Sequence, residues 1–294
     1  MNLANWGFRH WPFDRTFAAD RFFSGSLHDE AMARLLFLVE ESRRCGILSG
    51  PAGTGKTFLL KLVQQRAERM GRMTVRCEAT GLNGQELIGQ IATGCQIPCD
   101  ADATPARIWN QLQTCFAGLA LIRQPLVVVV DHFDATDFTC QQAIRRLHQL
   151  SDTVGLKLTI LLATREQIAF TGLQDIVELR IATSPWAMAE TSHFIRTAVE
   201  RAGCMQNLFT DDAVAFIHEA TRGIPWSVTS ICHLCLLAAQ VHDAPIVTRQ
   251  IVEATARELL PGIDADLPGI DSPSTSFGRK KQTPNVAALM KSGT

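Results

Sequence analysis

The 294-residue chain is 46% apolar and 19% charged, with a formal net charge of -1. That balance suits a globular protein with a full core, in one large domain and a smaller one, and argues against a chain-wide interaction with nucleic acid or an anionic membrane. No apolar run approaches the roughly 20 residues that span a bilayer, and nine irregularly spaced cysteines suit reduced, buried thiols, so the expected location is cytoplasmic.

In chain order, MNLANWGFRHWPFDR lacks the basic-then-apolar layout of a secretory signal. GIL (Gly46 to Leu48) reads as a short buried strand. Beyond it, Gly50-Pro51-Ala52-Gly53-Thr54-Gly55-Lys56-Thr57 fits the phosphate-loop pattern G-x-x-x-x-G-K-[ST] in full. Leu59, Val63, Ala67 and Met70 then keep one helical face, and Gly71 supplies a stop. Glycines at 50, 53 and 55 let backbone N–H groups turn toward phosphate oxygens, and the following helix adds the positive end of its dipole. In such a loop Lys56 reaches the β- and γ-phosphates and Thr57 ligates Mg²⁺.

MTVRC (Met73 to Cys77) is the next strand, followed by helices that Asn83 with Glu86 and Thr104 with Pro105 are suited to start. LVVVV (Leu126 to Val130) is an uninterrupted β-branched run, as in a parallel strand buried on both faces. Asp131 sits at its carboxyl end as the candidate acid on the magnesium side. KLTILLAT (Lys157 to Thr164) and VELRIAT (Val177 to Thr183) continue the alternation of strand and helix, which predicts βαβ units and a parallel sheet.

Thr210, Asp211 and Asp212 suit a helix start and Gly223 a helix end. Two cysteine pairs, Cys95 with Cys99 and Cys232 with Cys235, invite a zinc reading. The second pair lies in the apolar helical stretch SVTSICHLCLLAAQ and no four-ligand set forms, so no metal site is expected there. From Pro261 the composition turns to Pro, Gly, Ser and Thr, the mark of a disordered tail to Thr294. LPGID occurs twice in this region, at Leu260 to Asp264 and Leu267 to Asp271, beside GRKKQ and NVAALMK; these read as docking elements or as a plain solvated tail.

WPFD and SLHDEAMARL ahead of the phosphate loop, and the GIP turn after it, resemble the AAA+ ATPases of the general secretion pathway protein A (ExeA) type, over roughly residues 5 to 259. The resemblance implies an α/β P-loop NTPase of AAA+ type: a five-stranded parallel sheet flanked by helices, with a small C-terminal helical lid. It places a family-specific segment at 1–28, the ATPase core at 29–184, the lid at 185–260 and the tail at 261–294. It further implies ATP held between core and lid and between subunits, hence self-association through the nucleotide interface. By the same likeness His28 to Leu36 flank the adenine, Thr164 is the polar sensor near the γ-phosphate, and Arg180 is directed at a neighbour's nucleotide.

Two positions depart from that family. Asp131 is followed by His132 where a glutamate polarises the attacking water, and Trp226 follows GIP where an arginine reaches the γ-phosphate. A positioned general base contributes about 10² to 10⁴ in rate. A neutral imidazole at 132 can still orient a water, Asp134 is an alternative base, and His132 as a plain turn residue is an equal reading. The expected protein binds Mg-ATP, hydrolyses it slowly, and switches or assembles a protein complex of secretion or envelope machinery. Two alternatives stand beside this: a DNA-associated regulator like those of transposition systems, with Arg279, Lys280 and Lys281 as its one basic cluster and Arg145 and Arg146 as adjacent helix residues, and an adaptor that never hydrolyses. ExeA-type proteins often continue into a transmembrane helix and a peptidoglycan-binding domain; this sequence contains neither, which points to a different client.

Overall fold

The structure, a computed structural model, describes residues 6–14, 23, 25–98, 104–165 and 170–259. Strands β1 (Cys45–Ser49), β2 (Met73–Glu78), β3 (Leu126–Asp131), β4 (Leu158–Thr164) and β5 (Val177–Ala182) form one parallel sheet in the order β2-β3-β4-β1-β5. β3 and β4 are buried at every position because helices cover both faces, which is why their sequences carry continuous apolar runs. Alternate side chains serve opposite cores. Val127, Val129, Leu161 and Ala163 pack with α1 (Ser26–Glu40) and α2 (Lys56–Arg69), while Val128, Val130, Ile160 and Leu162 pack with α3 (Gly84–Gly94), α4 (Pro105–Leu121) and α5 (Phe138–Val154). Gly46 lets α1 press onto β1, since a Cβ there would stand 2.2 Å from Leu38 Cδ1.

Local signals set the helix ends. Asn83 accepts from Gln85 N and Glu86 N while Glu86 reaches back to the Asn83 N–H, a complete capping box. Thr104 caps α4 ahead of Pro105, and Gly71 follows α2 at φ 75. The chain passes from β1 over β4 and β3 to β2, then later skips β1 to add β5 at the other edge. A crevice therefore opens beyond the carboxyl end of β1, where open α/β sheets bind their ligands.

Helices α6 (Met188–Arg201), α7 (Asp211–Thr221), α8 (Pro225–Val241) and α9 (Arg249–Leu259) build a separate apolar core, in which Cys232 and Cys235 are buried thiols. Burial pushes the Cys235 thiol up to about 12, so it acts as a packing group. Residues 6–14 belong to this helical core and not to the sheet: Phe8 and Phe13 are buried in it, Trp6 Nε1 donates to the Pro245 carbonyl, and Trp11 Nε1 donates to His233 Nδ1 at 2.6 Å. At α7 the Thr210 hydroxyl does not cap the helix. It reaches the Val247 carbonyl at 3.4 Å instead, because the Phe209–Val247 bridge holds the chain there. Cys99, the LPGID repeats, GRKKQ with Arg279, Lys280 and Lys281, and NVAALMK lie outside the described residues. Among the described residues no helix is long and apolar enough to cross a membrane.

Candidate functional site

The phosphate loop runs from the end of β1 into α2, and its glycines have reasons for being glycine. Gly53 and Gly55 stand at φ 79 and 90, in the left-handed region. A Cβ at Gly50 would sit 2.2 Å from Thr183 Oγ1, and one at Gly53 would sit 2.8 Å from Ile224 Cγ2. Thr54, fully buried, donates to the Pro51 carbonyl and pairs with the Thr183 hydroxyl, tying the loop to the end of β5. α2 starts at Lys56 with no side-chain cap, so its first N–H groups are left for an anion at the positive end of the helix.

A cavity of about 560 Å³ lies over that helix start, bounded by the loop, the carboxyl ends of β3 and β4, residues 10–14, and the lid helices α6 and α8. Its size falls in the range of small-molecule sites. Lys56, Thr57, Asp131, His132 and Thr164 all line it, as do Ala52, Gly53 and Gly55. Lys56 Nζ donates to the Gly50 and Pro51 carbonyls at 2.6 and 2.9 Å. Desolvation lowers its pKa, Asp131 and Asp134 oppose that shift, and Arg165 adds to it.

Asp131 is 1% exposed, and both of its oxygens are engaged. Oδ1 accepts from the His132 N–H at 3.1 Å, and Oδ2 accepts from Arg76 Nη2 at 3.0 Å, across the Glu78–Asp131 register of β2 and β3. Each carboxylate oxygen has a second lone pair. Magnesium keeps several of its waters when bound, so Thr57 and Asp131 fit a hydrated Mg²⁺ without loss of the Arg76 contact. His132 is left-handed, at φ 54, and its Nδ1 stands 2.6 Å from Glu78 Oε1. The neighbours Arg76 and Glu78 were not singled out from the sequence, since only the strand register brings them beside Asp131.

The far end of the cavity is aromatic, with Phe13, Phe23, Trp186 and Phe194 in mutual ring contact. Of the segment His28 to Leu36, His28 reaches this wall, donating from Nε2 to the Thr54 carbonyl at 2.8 Å, while Leu35 is buried on the core-facing side of α1. Trp226 stands on the rim, 59% exposed, and its backbone N–H donates to the Gly53 carbonyl at 3.1 Å, so the lid rests directly on the phosphate loop. Arg180 is elsewhere, on the exposed side of edge strand β5 opposite Ile47 and outside the cavity wall. Asp134 and Arg165, by contrast, are part of that wall.

A family profile described as an AAA domain matches residues 39–168. General secretion pathway protein A from Aeromonas hydrophila is 24% identical over 240 residues, 79% of this chain and 44% of that protein, so the chain spans less than half the length of this curated relative. Among solved structures, the fold is similar to that of Cdc6p from Pyrobaculum aerophilum, with a TM-score of 0.66 at 16% identity over 86% of this chain and 71% of that one. It is similar also to Drosophila ORC bound to DNA, with a TM-score of 0.65 at 17% identity over 85% and 64% of the two chains. The five-stranded parallel sheet and the phosphate loop at its carboxyl edge give the chain an AAA-type P-loop NTPase fold, with an AAA domain matched over residues 39–168 and a likeness to general secretion pathway protein A.

Proposed function

We propose that the chain binds Mg-ATP in this cavity and uses binding, with slow hydrolysis, to switch or assemble a protein complex. The observation that carries the reading is the convergence of an uncapped helix start, Lys56, Thr57 and buried Asp131 on one cavity whose other end is aromatic. The loop N–H groups and Lys56 take the phosphates, the aromatic wall takes the base, and Thr57 with Asp131 hold the metal. Bound magnesium would supply charge neutralisation at the β- and γ-oxygens. Thr164, fully buried at the end of β4, serves as the polar group beside the terminal phosphate. His132 or Asp134 orients the attacking water, since no glutamate follows Asp131.

Arg180 on the open edge of the sheet would act only on the nucleotide of a second copy, so this reading includes self-association. The relationship to general secretion pathway protein A makes secretion or envelope machinery the candidate client. A DNA role draws on the likeness to ORC but gains little from α5, where Arg145 pairs with Asp175 and Arg146 stacks over Trp109 at 4.2 Å. The test is steady-state ATP hydrolysis with Mg²⁺ beside Lys56→Ala. Turnover above that variant is expected, within reach of a site lacking about 10² to 10⁴ of base catalysis. ATP binding without turnover would make the protein an adaptor, and no ATP binding at all would end the reading.

A further inference from the structure

The cavity holds charged residues that neither the phosphate loop nor the metal acid accounts for. At the lid, α8 opens with Pro225, Trp226, Ser227 and Val228, so its first turn brings no cation to the phosphates. Lys61 follows on α2 and Arg201 belongs to the lid wall on α6. Arg165 is placed differently. It directly follows Thr164, the residue paired with Ser49, and Ser49 is the last strand residue before the phosphate loop. The strand register therefore sets Arg165 level with the start of the loop, beside the end of β3.

Resting on the ATP reading above, we infer that Arg165 is the cation that contacts the terminal phosphate from within the same chain, with Asp134 as its positioning residue. Asp134 follows β3 in a short 3-10 turn, Phe133–Ala135, and its carboxylate is 13% exposed. Its Oδ1 accepts from the Arg165 backbone N–H at 3.0 Å, and its Oδ2 lies 4.0 Å from Arg165 Nε. The backbone of Arg165 is thus pinned to the neighbouring strand end, while its side chain is 59% exposed and lines the cavity. Among the described residues neither terminal guanidinium nitrogen takes an acceptor, which leaves the planar fork for an anion.

Electrostatics agree with this placement. Arg165 and Lys56 line the same cavity, so the two cations repel each other within one field. A polyanion between them turns that repulsion into two attractions. The same argument separates nucleotides by length. A diphosphate engages the loop and Lys56, whereas only a third phosphate extends toward the ends of β3 and β4. Arg165 therefore discriminates ATP from ADP, and it supplies from β4 the charge that Trp226 does not supply from the lid.

The experiment is calorimetric titration of the full chain with Mg-ADP and with the non-hydrolysable triphosphate adenylyl-imidodiphosphate, for wild type, Arg165→Ala, Arg165→Lys and Asp134→Asn. Losing a charge-assisted contact should weaken the triphosphate on the order of ten- to a hundredfold in Arg165→Ala. ADP affinity should stay within about twofold, which also reports an intact fold. Arg165→Lys should recover part of the difference, and Asp134→Asn should lose part of it. Equal losses for both nucleotides, or no loss for either, would overturn the assignment and leave ATP binding standing. A wild type that binds neither nucleotide would overturn both.

Discussion

His132 shows how one residue reshapes a site without emptying it. Its left-handed backbone turns the chain out of β3 immediately after the metal acid, and the Nδ1 contact with Glu78 fixes the ring across to the next strand. A glutamate placed here would meet the Glu78 carboxylate, and two carboxylates in contact resist joint ionisation. We therefore expect His132→Glu alone to gain little, and His132→Glu with Glu78→Gln to raise kcat by about tenfold or more toward the 10² to 10⁴ of a positioned base. The comparison is read from initial rates at saturating Mg-ATP. A double variant no faster than wild type would show that another group already orients the water.

At the scale of elements, one turn seats the lid on the phosphate loop. α7 ends through Arg222 and Gly223, both left-handed, and the chain then returns to put the first residues of α8 on the phosphate loop. Gly223 accepts the Trp186 N–H at its carbonyl, and a Cβ on it would lie 2.2 Å from the Trp186 carbonyl oxygen. Gly223→Ala adds a backbone clash to an unfavourable φ. It should cost about 1 to 3 kcal/mol of stability and weaken nucleotide binding as the lid shifts, measurable by urea denaturation and by titration of Mg-ADP. Much at this scale was legible in the sequence: the phosphate loop is a contiguous motif, the doubly buried strands announce themselves as unbroken apolar runs, and Asn83 and Thr104 carry their own capping chemistry. The Arg76–Asp131 pair and the Asp134–Arg165 pair were not legible, because each joins side chains 55 and 31 residues apart that only strand order and register bring together. Thr210 misled for a related reason, since a long-range bridge outcompeted its local capping preference.

For the molecule as a whole, the cavity is closed by two parts of the chain that are far apart in sequence. Residues 6–14 pack into the lid, α1 packs on the sheet, and the site lies between them. Phe13 joins both roles: it is 1% exposed, in edge contact with Phe209, and part of the cavity wall. Phe13→Ala should destabilise the protein by about 3 to 5 kcal/mol, seen as a lower midpoint in chemical denaturation, and should weaken nucleotide binding along with it. A small effect on both would mean that the lid stands without the N-terminal segment.

That arrangement bears on how the protein comes to be made. Trp6 and Trp11 leave the ribosome well before their partners Pro245 and His233, which are 239 and 222 positions later. Contacts of such separation form slowly, and until they form, the apolar surface stays open to aggregation. During synthesis the sheet can fold around its own local crossovers while the aromatic N-terminal segment waits, so the cavity acquires its last wall only once translation of the lid is complete.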